Sequence, residues 1–147
     1  MTNNEKPQVD LTAACACGGV TLSVRGRVRS MFLCSCEDCQ RATGTGHSAV
    51  ALVAIGDVTV TGDVASFARP ANSGATLTRW FCPRCGTPIY AASSRAPALA
   101  MLPVGLFGAA ADWFVPNQLI FARSHRDWDI VAPDLPHHAT YRNEGGH

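Results

Sequence analysis

A chain of 147 residues with net charge +1, 47% hydrophobic and 16% charged, is long enough for one domain with a buried core and too apolar to be disordered. Its near-neutral charge removes any broad attraction for nucleic acid or anionic lipid, and no run of about 20 apolar residues is present to span a bilayer. The polar start, Met1 to Asp10, has no signal-peptide core, so a cytoplasmic protein with reduced thiols is expected.

In chain order, Met1 to Leu11 lacks a hydrophobic period and reads as loose, which places a flexible leader over residues 1–12, a folded domain over 13–132 and a tail over 133–147. Cys15-Ala-Cys17-Gly18-Gly19 is a tight turn, and Val20 to Val24 alternates apolar and polar as a half-buried strand does, with Gly26 ending it. Met31 to Leu33 is a short apolar run leading into Cys34. A short helical segment is predicted over Asp38 to Thr43, broken by Gly44 and Gly46. Strands are predicted at Ser48 to Ile55, Val58 to Thr61 and Val64 to Phe67, with Gly56-Asp57 and Gly62-Asp63 as hairpin turns. Ala75 to Phe81, Pro88 to Ala91 and Ala98 to Val104 continue the strand pattern, while Gly105 to Trp113 is ambiguous because Gly108 interrupts an Ala-rich stretch. Pro116 to Arg123 and Trp128 to Val131 read as two late strands, and Asn143 to His147 as a mobile end. Many short strands and few helices make the expected class mainly β, in one domain without an internal linker.

All seven cysteines fall in three close groups: Cys15 and Cys17; Cys34, Cys36 and Cys39; Cys82 and Cys85. One or two residues between thiols bring sulfurs from a single turn towards one point, as thiolate zinc sites require. Four ligands saturate a structural zinc, whereas three leave a position for water or an external thiol, so a division into four and three uses every cysteine. Spacing alone does not decide the partition. Cys36/Cys39 with Cys82/Cys85 would make a zinc ribbon with the long insert Gln40 to Phe81. Alternatively, Cys15/Cys17 joins Cys82/Cys85 and leaves the Cys34, Cys36, Cys39 trio.

Cys15-x-Cys17-Gly-Gly19, then Cys34-x-Cys36-x-x-Cys39-x-Arg41, then Phe81-Cys82-x-x-Cys85-Gly86-Thr87-Pro88 together resemble the glutathione-dependent formaldehyde-activating enzyme family, which includes the centromere-protein-V-like proteins. The resemblance spans roughly residues 13 to 132 and includes Pro116 and Trp128. It implies a β-tent of antiparallel sheets around two zinc ions. Cys15, Cys17, Cys82 and Cys85 would be the structural ligands, and Cys34, Cys36 and Cys39 the ligands of a catalytic zinc. It also implies a carbon-sulfur lyase that adds glutathione to formaldehyde to give S-hydroxymethylglutathione. Leu119 departs from relatives that carry a histidine there, and Gly105-Leu-Phe-Gly108 lacks their acidic residue; both segments are expected on the substrate side.

Arg41 and Arg79 are candidates for a substrate carboxylate, with an ordinary surface or salt-bridging role as the plainer expectation for each. His47 is expected as a hydrogen-bonded turn residue, the sharper alternatives being a fourth ligand or an acid-base group. Glu37 and Asp38 are expected as exposed residues or a helix cap, and His125, His137 and His138 on a polar surface. Trp80, Phe81, Trp113, Phe114, Phe121 and Trp128 are expected as core or cleft-wall aromatics. Two further classes of function stand beside the lyase: a non-catalytic zinc-stabilised binding module, and an iron or redox protein.

Overall fold

Among the residues it describes, 6–142, the computed structural model contains ten strands, one α-helix and three 3-10 segments. The fold is mainly β, as expected, but the chain divides into two compact units rather than one. The first combines the residues up to Ser30 with Ala51–Trp113, and the second combines Met31–Val50 with the residues from Phe114 on.

In the first unit, β1 (Gln8–Ala14) pairs antiparallel with β2 (Thr21–Arg27), from Gln8 opposite Arg27 to Ala14 opposite Thr21. The leader expected over residues 1–12 is therefore replaced by strand from Gln8. Gln8, Asp10 and Thr12 are exposed while Val9 is buried and Leu11 half-buried, a period of two that Pro7 and its polar neighbours obscure in the sequence. Residues 1–5 of that leader lie outside the described residues. On its other side β2 pairs with β5 (Val58–Thr61), and strand β2 continues through Gly26 to Arg27.

A second sheet in this unit has the order β9 (Leu99–Pro103), β8 (Pro88–Ser93), β7 (Thr76–Phe81), β6 (Ala65–Pro70), with the Ala51–Ala54 end of β4 (Ser48–Ala54) beside β9. The two Gly-Asp pairs do not make hairpins. Ile55–Asp57 is a 3-10 turn that carries the chain from β4 in one sheet to β5 in the other, and Gly62 leads back from β5 to β6. Gly62 has φ 106°, and a Cβ there would stand 2.2 Å from the Gly19 carbonyl oxygen, so close approach to the first thiol turn demands glycine. The ambiguous stretch after β9 is a 3-10 segment, Val104–Ala110, kinked at Gly108 and packed on β1 with Val104 and Phe107 buried. Val20, Leu22, Val24, Val28, Val53, Ile89 and Leu102, each no more than 1% exposed, form the core. Burial of each such side chain contributes about 1.5–3 kcal/mol.

In the second unit, β3 (Ser30–Cys34) is buried continuously from Met31 to Cys34 and leads into the helix α1 (Glu37–Thr43). Strand β10 (Leu119–Ile120) pairs with it in parallel, Leu119 opposite Leu33 and Ile120 opposite Cys34, an exception to the antiparallel pairing expected throughout. The strand predicted over Pro116 to Arg123 shrinks to these two residues because Phe121 takes φ 56°, a left-handed conformation rare for an aromatic residue, which turns the chain into a 3-10 segment, Ala122–Ser124. Trp128 to Val131 is likewise a turn instead of a strand: the Asp129 amide donates to the Arg126 carbonyl at 3.0 Å, and Trp128 and Ile130 are exposed. The tail expected from residue 133 is in fact attached along β10. The Leu119 amide donates to the Pro136 carbonyl, the His138 amide to that of Leu119, and the Phe121 amide to that of Thr140, each at 2.9 Å. Tyr141 then packs edge-on against Phe121. The mobile end expected over Asn143 to His147 lies outside the described residues. No described helix is long and apolar enough to cross a membrane.

Candidate metal centres

Two hairpin loops of the first unit meet. The β1–β2 turn is closed by the Cys15 amide donating to the Val20 carbonyl at 2.9 Å, and the Val20 amide donates to Cys15 Sγ at 3.3 Å. The β7–β8 loop is closed by the Cys82 amide on the Thr87 carbonyl and the Gly86 amide on the Cys82 carbonyl, 3.0 and 2.8 Å. The Ala16 amide donates to Thr87 Oγ1 at 3.1 Å and ties the loops together. Sulfurs of Cys15, Cys17, Cys82 and Cys85 then gather within 4.8 Å of one another. The Cys15–Cys17 and Cys17–Cys82 separations are 3.6 and 3.7 Å. A tetrahedron of Zn–S bonds of about 2.3 Å has edges of about 3.8 Å, close to these two separations, so the donor set suits that ion.

The second group sits at the end of β3 and in the first turn of α1. Cys34, Cys36 and Cys39 place their sulfurs within 4.8 Å of one another, and among the described residues no further Cys, His, Asp or Glu joins them. The helix N-cap is Cys36 itself, whose Sγ accepts from the Cys39 amide at 3.3 Å, so one side chain both starts the helix and enters the cluster. Glu37 and Asp38, considered as caps, occupy the exposed first turn, where their charge suits the helix dipole. The ribbon partition that spacing left open is not formed: Cys36 and Cys39 group with Cys34, not with Cys82 and Cys85.

The thiols' acidities record how unlike these neighbours are. Cys85 is held down at about 5, first by the Thr87 hydroxyl, then by the amides of Thr87 and Cys17. Cys17 is favoured as thiolate by the Gly19 amide but pushed up to about 11 by the sulfurs of Cys15 and Cys82. Cys39 accepts a stabilising contact from Cys34, yet Cys36 and burial push it to about 11. Contact with Cys36 and Cys39, then burial, drive Cys34 far above the ordinary thiol range. Sulfurs this close repel as anions, and a cation is the natural partner for either set. Next to the trio, the buried hydroxyls of Ser35 and Ser48 have no hydrogen-bond partner among the described residues. Ser48 lies against the Cys39 sulfur and favours its thiolate, without the alignment of a complete hydrogen bond.

Other candidate residues fall as follows. Arg41 is exposed and pairs within α1 with Glu37 and Asp38 at 3.8 and 3.6 Å. Arg79 lies on β7 with its guanidinium 5.6 Å from the Phe67 ring centre. Leu119, expected on the substrate side, is fully buried core. Trp128, expected in the core or a cleft wall, is 66% exposed, whereas Trp80 stacks on Tyr90 at 4.5 Å. His137 is exposed as expected, but the side chain of His125 is largely buried and faces Asp129. His47 Nδ1 donates to the same carboxylate at 2.7 Å. Sequence reasoning missed Asp129, because a lone acid between Trp128 and Ile130 reads as the outward residue of a strand.

A mainly β chain with one four-thiol and one three-thiol group defines a class of small proteins with two candidate thiolate metal sites. Residues 10–124, which contain every cysteine, match the family described as glutathione-dependent formaldehyde-activating enzyme, and the chain belongs to that family. A Rhodobacter sphaeroides protein known from a crystal structure shares the fold, with a TM-score of 0.54 at 18% identity over 67% of this chain and 89% of that one. No curated protein matches the chain.

Proposed function

We propose that the protein is a zinc-dependent carbon-sulfur lyase that adds glutathione, or a thiol like it, to formaldehyde or another small aldehyde at the Cys34, Cys36, Cys39 cluster. The observation that carries the reading is the contrast between a set of four thiols and a set of three that no fourth Cys, His, Asp or Glu joins among the described residues. Family membership supports the thiol and the aldehyde. On this reading Cys15, Cys17, Cys82 and Cys85 hold a structural zinc, a second ion sits on the trio, and the protein works in the cytoplasm.

Zinc on three thiolates supplies, when bound, a positive position that stabilises an incoming thiol as thiolate. The chain's own part is to fix the sulfurs and bury them in part. Cys34 and Cys36 are buried, which strengthens electrostatic interactions at two of the three sulfurs. Cys36 and Cys39 are held by the first turn of α1, where the Cys39 amide donates to Cys36 Sγ, so the two sulfurs that would hold the ion are fixed relative to each other. In the reaction an S–H bond breaks, an S–C bond forms to the aldehyde carbon, and the carbonyl oxygen ends with a proton. Arg41, already in charge pairs with Glu37 and Asp38, is the guanidinium in this unit that we assign to a substrate carboxylate. Arg79 is retained as a second candidate.

The test is the rate of S-hydroxymethylglutathione formation, followed by NMR, with protein carrying two zinc ions per chain by elemental analysis. A rate above the spontaneous reaction that disappears in Cys39→Ser is expected. A rate equal to the spontaneous one for fully loaded protein would leave a zinc-stabilised binding module, and an iron-thiolate absorption spectrum in protein as isolated would overturn zinc as the metal.

A further inference from the structure

We propose that the Ser48 hydroxyl donates a hydrogen bond to the Cys39 sulfur when the three-thiol cluster holds a metal ion, and so sets how tightly that ion is kept. The inference rests on an ion at the trio, as in the reading above, and not on the lyase activity.

Ser48 opens β4, and its side-chain oxygen is buried with no hydrogen-bond partner among the described residues. A buried hydroxyl left unpaired is unfavourable, and folded proteins rarely keep one unless a ligand or an ion completes it. The group Ser48 lies against is the Cys39 sulfur. One χ1 angle and a freely turning O–H bond let the hydroxyl aim its hydrogen at that sulfur with no change in the backbone. A thiol sulfur is a weak acceptor, whereas a thiolate accepts a charge-assisted bond. Metal ligands are thiolates, so a loaded cluster offers the hydroxyl an acceptor that a free thiol does not.

The three sulfurs are unequal in this respect. Cys36 Sγ already accepts the Cys39 amide at 3.3 Å in the cap of α1. Cys39 is the least buried of the trio and hence the ligand most open to water and to release, which is where a fixed donor has most effect. Ser48 touches this ligand and not the ion, so it is a positioning residue.

The turn that brings Ser48 back beside the helix is fastened from both sides. Gly44 ends α1 in a left-handed conformation, φ 75°, with its amide on the Gln40 carbonyl at 2.8 Å. Thr43 Oγ1 donates to the Cys39 carbonyl at 2.9 Å, reaches the His47 carbonyl at 3.4 Å and accepts from the Thr45 amide at 3.2 Å. One threonine therefore ties Cys39 to the residue that precedes Ser48. From the other side, buried Asp129 accepts from His47 Nδ1 at 2.7 Å, and a Cβ on Gly46 would stand 2.4 Å from the Asp129 Cγ. The imidazole-carboxylate pair is thus a clamp on the turn, and it fixes the backbone from which Ser48 reaches the sulfur.

The experiment loads wild type, Ser48→Ala and Ser48→Thr with zinc and, separately, with cobalt(II). It measures metal content, thermal midpoint, the affinity for each ion by chelator competition, and the thiolate-to-cobalt absorption, with the four-thiol set as the reference inside the same molecule. We expect S48A to hold the trio's ion about 10- to 100-fold less tightly and the quartet's ion as before. The band that grows in with the second equivalent of cobalt should move to longer wavelength in S48A, because a sulfur without that hydrogen bond gives up electron density more readily. S48T keeps the hydroxyl and should stay within about 3-fold of wild type. An S48A affinity within about 3-fold of wild type with the band unmoved overturns the proposal and leaves the lyase reading intact. A fall in thermal midpoint and in both affinities together, without a band shift, overturns it too, because that is the mark of a merely structural serine. Wild type that takes up one ion per chain removes both the role of Ser48 and the lyase reading, whereas loaded wild type that fails to accelerate thiol addition removes the lyase reading alone.

Discussion

Cys17 and Cys82 stand 65 positions apart in the chain yet 3.7 Å apart in space, whereas Cys34, Cys36 and Cys39 all come from the end of one strand and the first turn of one helix. An ion on the first set closes a long loop and joins two hairpins; an ion on the second cross-links almost nothing. By polymer arguments, closing a loop of that length is worth about 4 kcal/mol, while a loop of a few residues contributes little. On the proposed reading, one chemistry, thiolate ligation, would serve stability where ligands are remote and leave reactivity open where they are adjacent.

The sharpest way to break this contrast is to remove one thiol from each set. Cys82→Ser should lose the first metal and lower the thermal midpoint by on the order of 10 °C or more, while Cys39→Ser should lose one metal and shift the midpoint by less than about 3 °C. Elemental analysis and calorimetry read both values, and the reverse ranking would sink the assignment of roles.

A smaller effect separates the sets by pH in metal-free protein. Cys85, held at about 5 first by the Thr87 hydroxyl, contributes stability that is present above the unfolded thiol range and is lost as pH falls towards 5. Cys39 is raised to about 11. Its contribution is present below the unfolded range and is lost as pH climbs through 11, and Cys17 follows the same direction. Alkylation at pH 7 with mass mapping should therefore label Cys85 well before Cys39. The smallest effect belongs to Arg41→Ala. Its exposed ion pairs are worth well under about 1 kcal/mol, so stability should hold while KM for glutathione rises a few-fold; an unchanged KM removes Arg41 from the substrate site.

Much of this was legible in the residues. Cysteine spacing announced the thiol groups, and alternation with glycine breaks located most strands, because both signals are local. What stayed hidden was long-range. The partition of thiols depended on which hairpins meet, and spacing still left a ribbon open although its long insert, Gln40 to Phe81, weakened it. Gly56-Asp57 and Gly62-Asp63 looked like hairpin turns, yet they carry the chain between sheets, since β5 finds its partner in β2. Strand β1 was masked by the polar residues before it, and the tail by proline and histidine that nonetheless lie beside β10. Asp129 could not be singled out, because its burial comes from Gly46 and His47, more than 80 positions earlier.

The placement of the trio between the two pairs of the quartet also fixes an order of events at the ribosome. Cys34, Cys36 and Cys39 emerge complete while Cys82 and Cys85 are still untranslated. The nascent polypeptide thus displays the three-thiol group first, and any ion taken up there would meet the quartet as a competitor only after synthesis passes Cys85.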